Sequence, residues 1–117
     1  MKKLAFAAMG FLAAGLAVGV VVTQHAAWWP LLVLAIAPDV SLLLGMSSSL
    51  ERGQLHPRAV AIYNAVHRYW APAVLVVITL LVNAPEWLAA GLAWTAHISF
   101  DRSLGFGLRT REGFQRT

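Results

Sequence analysis

Two histidines and two aspartates interrupt otherwise apolar stretches of this chain, and their spacing suits helices. His97 and Asp101 lie four residues apart and share a helical face; Asn64 and His67, three apart, do the same. Asp39 follows Pro38, which lacks a backbone donor and crowds the preceding turn, so a polar opening is expected beside it. Two imidazoles and two carboxylates make a donor set for a divalent ion. Zn²⁺ accepts both kinds of ligand at about 2.0–2.2 Å, and Mn²⁺ or Fe²⁺ tolerates them. An ion held there would acidify water and permit metal-assisted hydrolysis. Asp39, His67, His97 and Asp101 are therefore the candidate catalytic and metal-ligating residues, with Tyr63, Asn64, Arg68 and Arg102 as polar supports. Their spacing is not that of a compact zinc motif, because three separate segments must supply the ligands. The absence of cysteine excludes thiolate metal sites, thiol catalysis and disulfides.

The same residues admit two other readings. Arg68 and Arg102 would neutralise Asp39 and Asp101 in buried ion pairs that only fix helix register. Alternatively, acids and imidazoles at membrane depth relay protons or small ions. A chain without an inverted repeat would need to act as a homo-oligomer to do so.

The elements that must position these residues are unusually apolar. Charged residues are 12% and apolar residues 59% of the 117 residues, against roughly 25% charged in soluble domains. The net charge of +4 falls in short loops and tails between apolar blocks, which implies a lipid bilayer as partner and no nucleic acid. Four blocks, at 4–22, 26–46, 59–82 and 87–108, each approach the roughly 20 residues needed to cross a hydrocarbon core. A backbone in lipid must satisfy its own hydrogen bonds, and no period of two suggests a barrel. The expected fold is all-α: one domain, a compact four-helix transmembrane bundle. At about 1.5 Å of rise per residue, Asp39, His67 and Asp101 each fall roughly 5 Å to the same side of their span centres, with His97 near its centre. Ionisable groups at that depth face the bundle interior, so the four side chains should meet.

Lys2, Lys3, Arg52, Arg58, Arg109, Arg111 and Arg116 fall on one side of four spans, and the two opposite loops hold no Lys or Arg. The positive-inside rule then places both termini in the cytoplasm of a cytoplasmic-membrane protein. The first block also fits a signal peptide, but it exceeds the roughly 7–15 residues of a signal core and lacks an Ala-x-Ala site, so a retained helix is expected. Its Gly10-x-x-x-Ala14 and Gly15-x-x-x-Gly19 spacings suit close helix packing. Other polar residues have plainer readings. Trp28, Trp29, Trp70, Trp87 and Trp94 read as interfacial anchors, and Arg109, Arg111 and Arg116 as contacts to anionic headgroups. His25 and His56 read as solvated loop residues, and Ser41 and Ser99 as donors to their own helices rather than nucleophiles.

Pro38-Asp39-Val40-Ser41, Tyr63-Asn64-Ala65-Val66-His67-Arg68-Tyr69 and the run His97-Ile98-Ser99-Phe100-Asp101-Arg102-Ser103-Leu104-Gly105-Phe106-Gly107-Leu108 follow one another in order. This pattern, over Pro38 to Thr117, resembles a family of small bacterial multi-pass membrane proteins grouped as domain of unknown function 4260. Its most specific segment is His-Ile-x-Phe-Asp-Arg-x-x-Gly-x-Gly-Leu. The resemblance implies the fold and the membrane location and carries no established activity. The Pro-Asp and His elements are also similar, more remotely, to membrane-bound proteins described as metal-dependent hydrolases. Family members usually have Tyr where this chain has Phe106, so a hydroxyl role there is not expected. They also continue into His-Leu-Gly after a Gly-Phe-Lys-x-Thr stretch. This chain has Gln115 and Arg116 and ends at Thr117, so any role of that histidine is missing or lies beyond a truncated end. The function expected is a cytoplasm-facing Asp/His site, metal-dependent and hydrolytic toward a lipid-like substrate. The alternatives are a structural or assembly protein and an ion-conducting oligomer.

Overall fold

Proline placement decides where the helices of this chain start and where one of them breaks. The computed structural model describes residues 2–47 and 50–116. It is all-helical, with α1 (Lys2–Gln24), α2 (Trp29–Leu44), α3 (Pro57–Val66), α4 (Trp70–Val82) and α5 (Pro85–Ser103). Helices α2, α3 and α5 each carry a proline in their first two positions, where the missing N–H costs nothing and the fixed φ suits a helix.

The third apolar block, expected as one span over 59–82, is instead two helices bent by 42° at residues 67–69. Pro72 is the cause: it has no N–H for the Arg68 carbonyl, and its ring would clash there. The neighbouring amides re-pair around it, Ala71 with the Arg68 carbonyl at 3.3 Å and Ala73 with that of Tyr69 at 3.1 Å. The described residues therefore form five helices, two of them sharing the third apolar block. The fourth block, read to 108, ends its helix at Ser103 because Gly105, at φ +93°, turns the chain back.

Helix α5 is the centre of the packing, touching α1, α2 and α4, while α3 lies on α2. It does so with small buried side chains: Ala89, Ala90, Gly91, Ala93 and Ala96. On α1 the buried face is Gly10, Ala13, Ala17 and Val21. A Cβ at Gly10 would fall 2.7 Å from the Phe100 ring, so only glycine permits that approach. Gly15 and Gly19, expected to act similarly, face open space, because the 10-13-17-21 stripe leaves them on the other side of the helix. The outward faces stay apolar; Phe11, Leu12, Leu32, Ile36, Val77 and Leu81 are all exposed. Helix α1 is long and apolar enough to cross a membrane, with mean hydropathy 2.3 and 22% of that window buried; the bent α3–α4 pair also qualifies if taken as one span.

The start of α1, the loop before α3 and the segment after α5 gather at one end. Lys3 approaches Gly105, and Arg58 donates to the Leu44 and Met46 carbonyls that end α2. Residues 107–116 form a hairpin-like strap joined by the Arg109–Gln115 bridge. The Gly113 carbonyl accepts from Leu55 N–H at 2.8 Å. At φ +102° and with the Leu55 carbonyl where a Cβ would sit, position 113 requires glycine. Trp29 and Trp87 meet edge to face at the opposite end, 5.4 Å between centroids.

Candidate metal centre

Each ligand candidate is held by a different local device. Asp39 follows Pro38 within α2, His67 caps the broken end of α3, and His97 and Asp101 share one face of α5. These elements bring all four side chains together. His67 Nε2 lies 3.3 Å from Asp39 Oδ1 and 3.2 Å from Asp101 Oδ2. His97 Nε2 lies 3.1 Å and 3.3 Å from the same two oxygens. The four atoms form a closed ring, all within 4.8 Å of one another. Tetrahedral ligands at about 2.0–2.2 Å from one ion stand about 3.3–3.6 Å apart, so the ring, at 3.1–3.3 Å, fits a divalent metal after a small outward adjustment.

The imidazoles are also oriented for it. Nδ1 of His67 is 2.8 Å from the Tyr63 carbonyl, and Nδ1 of His97 is 2.7 Å from the Ala35 carbonyl. Carbonyls only accept, so each Nδ1 carries the proton and a neutral ring turns its Nε2 lone pair toward the carboxylates. Two lone pairs facing two anions repel unless a cation intervenes, either a metal ion or a second proton on each ring. Backbone carbonyls behind ligating histidines are the usual second support of a metal site. The Tyr63 ring stacks on His67, centroids 4.0 Å apart, and fixes it from one side. Side-chain exposure rises from 3% at His67 and 10% at His97 to 21% at Asp101 and 44% at Asp39, so the ring opens beside Asp39.

The supporting residues divide. Arg102 donates to the His67 carbonyl at 3.3 Å and stacks over Tyr69 at 5.0 Å. Trp94, expected as an interfacial anchor, donates instead to the Val66 carbonyl at 2.7 Å. Both hold α5 to the break that presents His67. Asn64 grips the strap: Nδ2 donates to the Arg109 carbonyl at 3.0 Å, and Oδ1 accepts from Arg109 N–H at 2.7 Å. Arg68 is exposed. Among the described residues no arginine forms an ion pair with Asp39 or Asp101. The expected Arg–Asp neutralisation is therefore replaced by His–Asp contacts. The cause is geometric: the break turns Arg68 outward, and Arg102 is taken by a backbone carbonyl and an aromatic face. Ser41 and Ser99 donate to their own helices at the Pro38 and Thr95 carbonyls.

Arg109 was not legible as part of this region. It folds inward rather than to headgroups, with Nη1 donating to the Gly113 and Gly53 carbonyls and its guanidinium 4.9 Å from the Tyr63 ring centroid. With Gln115 it walls a polar cavity of about 190 Å³ that also touches Asp39, Tyr63 and Asp101. A second, mostly apolar groove of about 270 Å³ between α1, α2 and α5 reaches His97 and Asp101 from the other side, past Ala14, Val18, Leu31 and Phe100. A larger cleft, about 350 Å³ by the 45–55 loop, touches none of the four clustered residues.

No curated protein and no solved structure matches the chain. Residues 4–117 match the family described as Domain of unknown function (DUF4260), a span that takes in every side chain of the His/Asp ring as well as the strap that covers it. The chain therefore belongs to the DUF4260 family.

Proposed function

We propose that this protein is a multi-pass protein of the cytoplasmic membrane whose Asp39, His67, His97 and Asp101 hold a divalent metal ion and hydrolyse a lipid-like substrate. The observation that carries this reading is the ring of ligand atoms at 3.1–3.3 Å with both Nδ1 atoms anchored on carbonyls. When bound, an ion of the Zn²⁺, Mn²⁺ or Fe²⁺ type supplies Lewis acidity toward an ester oxygen and toward water. The chain's own part is to orient and to exclude. Two carboxylates balance the ion's charge, and the carbonyl-anchored imidazoles hold their lone pairs in place. The apolar groove offers a water-poor channel for a hydrocarbon chain, while the 44% exposure of Asp39 leaves access from the polar side. The membrane reading is supported by α1, by the exposed apolar faces of α1, α2 and α4, and by the gathering of basic segments at one end.

Purified protein should contain stoichiometric divalent metal by elemental analysis, and His97→Ala should lose it. Detergent-dispersed lipid esters should be cleaved by the loaded protein and spared after chelation. A correctly folded wild type with no metal affinity would overturn the reading, leaving two imidazolium–carboxylate pairs that lock the helices.

A further inference from the structure

We infer that the apolar groove between α1, α2 and α5 seats the acyl chain of a carboxylic ester, taken sideways from the bilayer past Ala14 and Val18. The inference rests on the metal reading and deepens it by naming the substrate class. Its first support is how the groove arises. Helices α1 and α2 both pack broadly on α5 and only sparsely on each other, so a slot opens between them with α5 as its floor. Five alanines line it: Ala14 and Ala17 from α1, Ala35 from α2, Ala93 and Ala96 from α5. Alanine is the best helix former and fills little of the space between helices, so the void of about 270 Å³ is written into the sequence. Both ends of the slot are shut. Val21, Leu31, Ala89 and Ala93 meet in a core cluster at one end. At the other, the Phe100 ring sits against Gly10 and edge-on to Phe11, 5.1 Å between centroids. What remains is a lateral mouth, where Val18 is exposed and Ala14 and Ala35 are half-buried.

The second support is what such a void can hold. At about 30 Å³ of liquid per molecule it has room for about nine waters, and alanine walls give them no partners. Apolar cavities of this kind stay dry and take up hydrocarbon. The exposed apolar side chains beside the mouth, among them Leu12 and Leu32, make hydrocarbon its natural surroundings. The third support is where the slot leads. The polar side chains among its lining residues are His97 and Asp101, two members of the ring. From Asp101 to Ala93 the floor runs about 12 Å at about 1.5 Å of rise per residue, and no polar stretch separates the alanines from the ring. A chain lying there must be joined almost directly to the reacting group, as it is in an acyl ester. In a phosphate ester of glycerol the chains are set back from the phosphorus by the glycerol unit, and the slot offers that unit no polar room. The alcohol half of an acyl ester falls instead on the Asp39 side, where the polar cavity opens.

The test uses the full chain in detergent, with acetohydroxamate and octanohydroxamate as probes, because each carries its metal-binding oxygens directly on an unbranched chain. Equilibrium dialysis is run on metal-loaded wild type, on Ala14→Phe and Val18→Trp, which plug the mouth, and on Leu16→Phe. Leu16 is exposed on α1 away from the slot. Comparison among variants cancels partition of the longer probe into detergent. Full transfer of a methylene from water to an apolar site is worth roughly fourfold in affinity. Wild type should therefore prefer octanohydroxamate by at least about tenfold. Ala14→Phe and Val18→Trp should each lose most of that preference while keeping stoichiometric metal, and Leu16→Phe should retain it. If Ala14→Phe fails to fold, Val18→Trp at the rim decides. A metal-loaded wild type without the preference, plugged variants that keep it, or an equal loss in Leu16→Phe overturns the acyl seat. The slot then belongs to bulk lipid or a second copy of the chain, and the metal centre stands. Failure to bind metal removes both.

Discussion

At the scale of single residues, the centre depends on which atom of each histidine is occupied. Types and spacing in the sequence are enough to nominate Asp39, His67, His97 and Asp101, because acids and imidazoles stand out in apolar helices. The Ala35 and Tyr63 carbonyls that orient the rings were not legible, since a backbone acceptor has no residue type. Arg109 and Gln115 were hidden for a different reason: a basic or amide residue in a polar tail looks like any solvated one. The spacing of Asn64 from His67 points it at the site, yet it acts as a piece of strand, pairing with both backbone groups of Arg109. Replacing it by Ala removes two hydrogen bonds and leaves part-buried backbone groups unmet, a loss of roughly 1–3 kcal/mol. For Asn64→Ala, hydrogen exchange at the Arg109 amide should accelerate about 10- to 100-fold, with metal content unchanged. Unaltered exchange at residue 109 would mean that the strap is held elsewhere.

At the scale of elements, composition locates the apolar blocks, and Pro72 marks a local kink beyond His67 and Arg68 without showing that the helix breaks there in two. Residues 59–82 stay predominantly apolar through the bend, so hydropathy alone reads them as one helix. The signals were Pro72 and the polar cluster from Tyr63 to Tyr69. What proline does there is useful: it ends α3 at Val66, leaves His67 at the C-cap, and frees carbonyls that Trp94 and Arg102 bind from α5. Pro72→Ala should remove the ring that bars a continuous helix and supply a second donor for the Arg68 carbonyl, which Ala71 N–H now serves. The predicted result is nevertheless a weaker site. A straightened helix rotates His67 away from Asp101, and disturbing the support of a ligand typically costs about 10- to 100-fold in metal affinity. Circular dichroism of this variant should show no loss of helix while metal titration shows the weaker binding. Affinity equal to wild type would demonstrate that the bend does not position His67.

At the scale of the whole molecule, the bundle is 47 Å long, against roughly 40–45 Å for a bilayer with its headgroups. Its charge is polarised along that length. Lys2, Lys3, Arg58 and the strap carrying Arg109, Arg111 and Arg116 share the end toward which the His/Asp ring is displaced, and the turn containing Ala27 lies at the other. Moving a cluster of Lys and Arg across hydrocarbon is opposed by roughly 2.5–3.5 kcal/mol for each charge on insertion scales. The basic end should therefore stay where it is synthesised, and substrate should reach the centre from the cytoplasm or the inner leaflet. Because the chain has no cysteine, a single introduced thiol reports on either end. A membrane-impermeant maleimide applied to intact cells should label Ala27→Cys, whose exposed site lies outside the helices. Arg111→Cys, exposed on the strap, should react only after the membrane is opened. The reverse pattern would put the His/Asp ring on the outer side. Recovery of both variants in the soluble fraction would mean that the apolar faces are covered by protein rather than lipid.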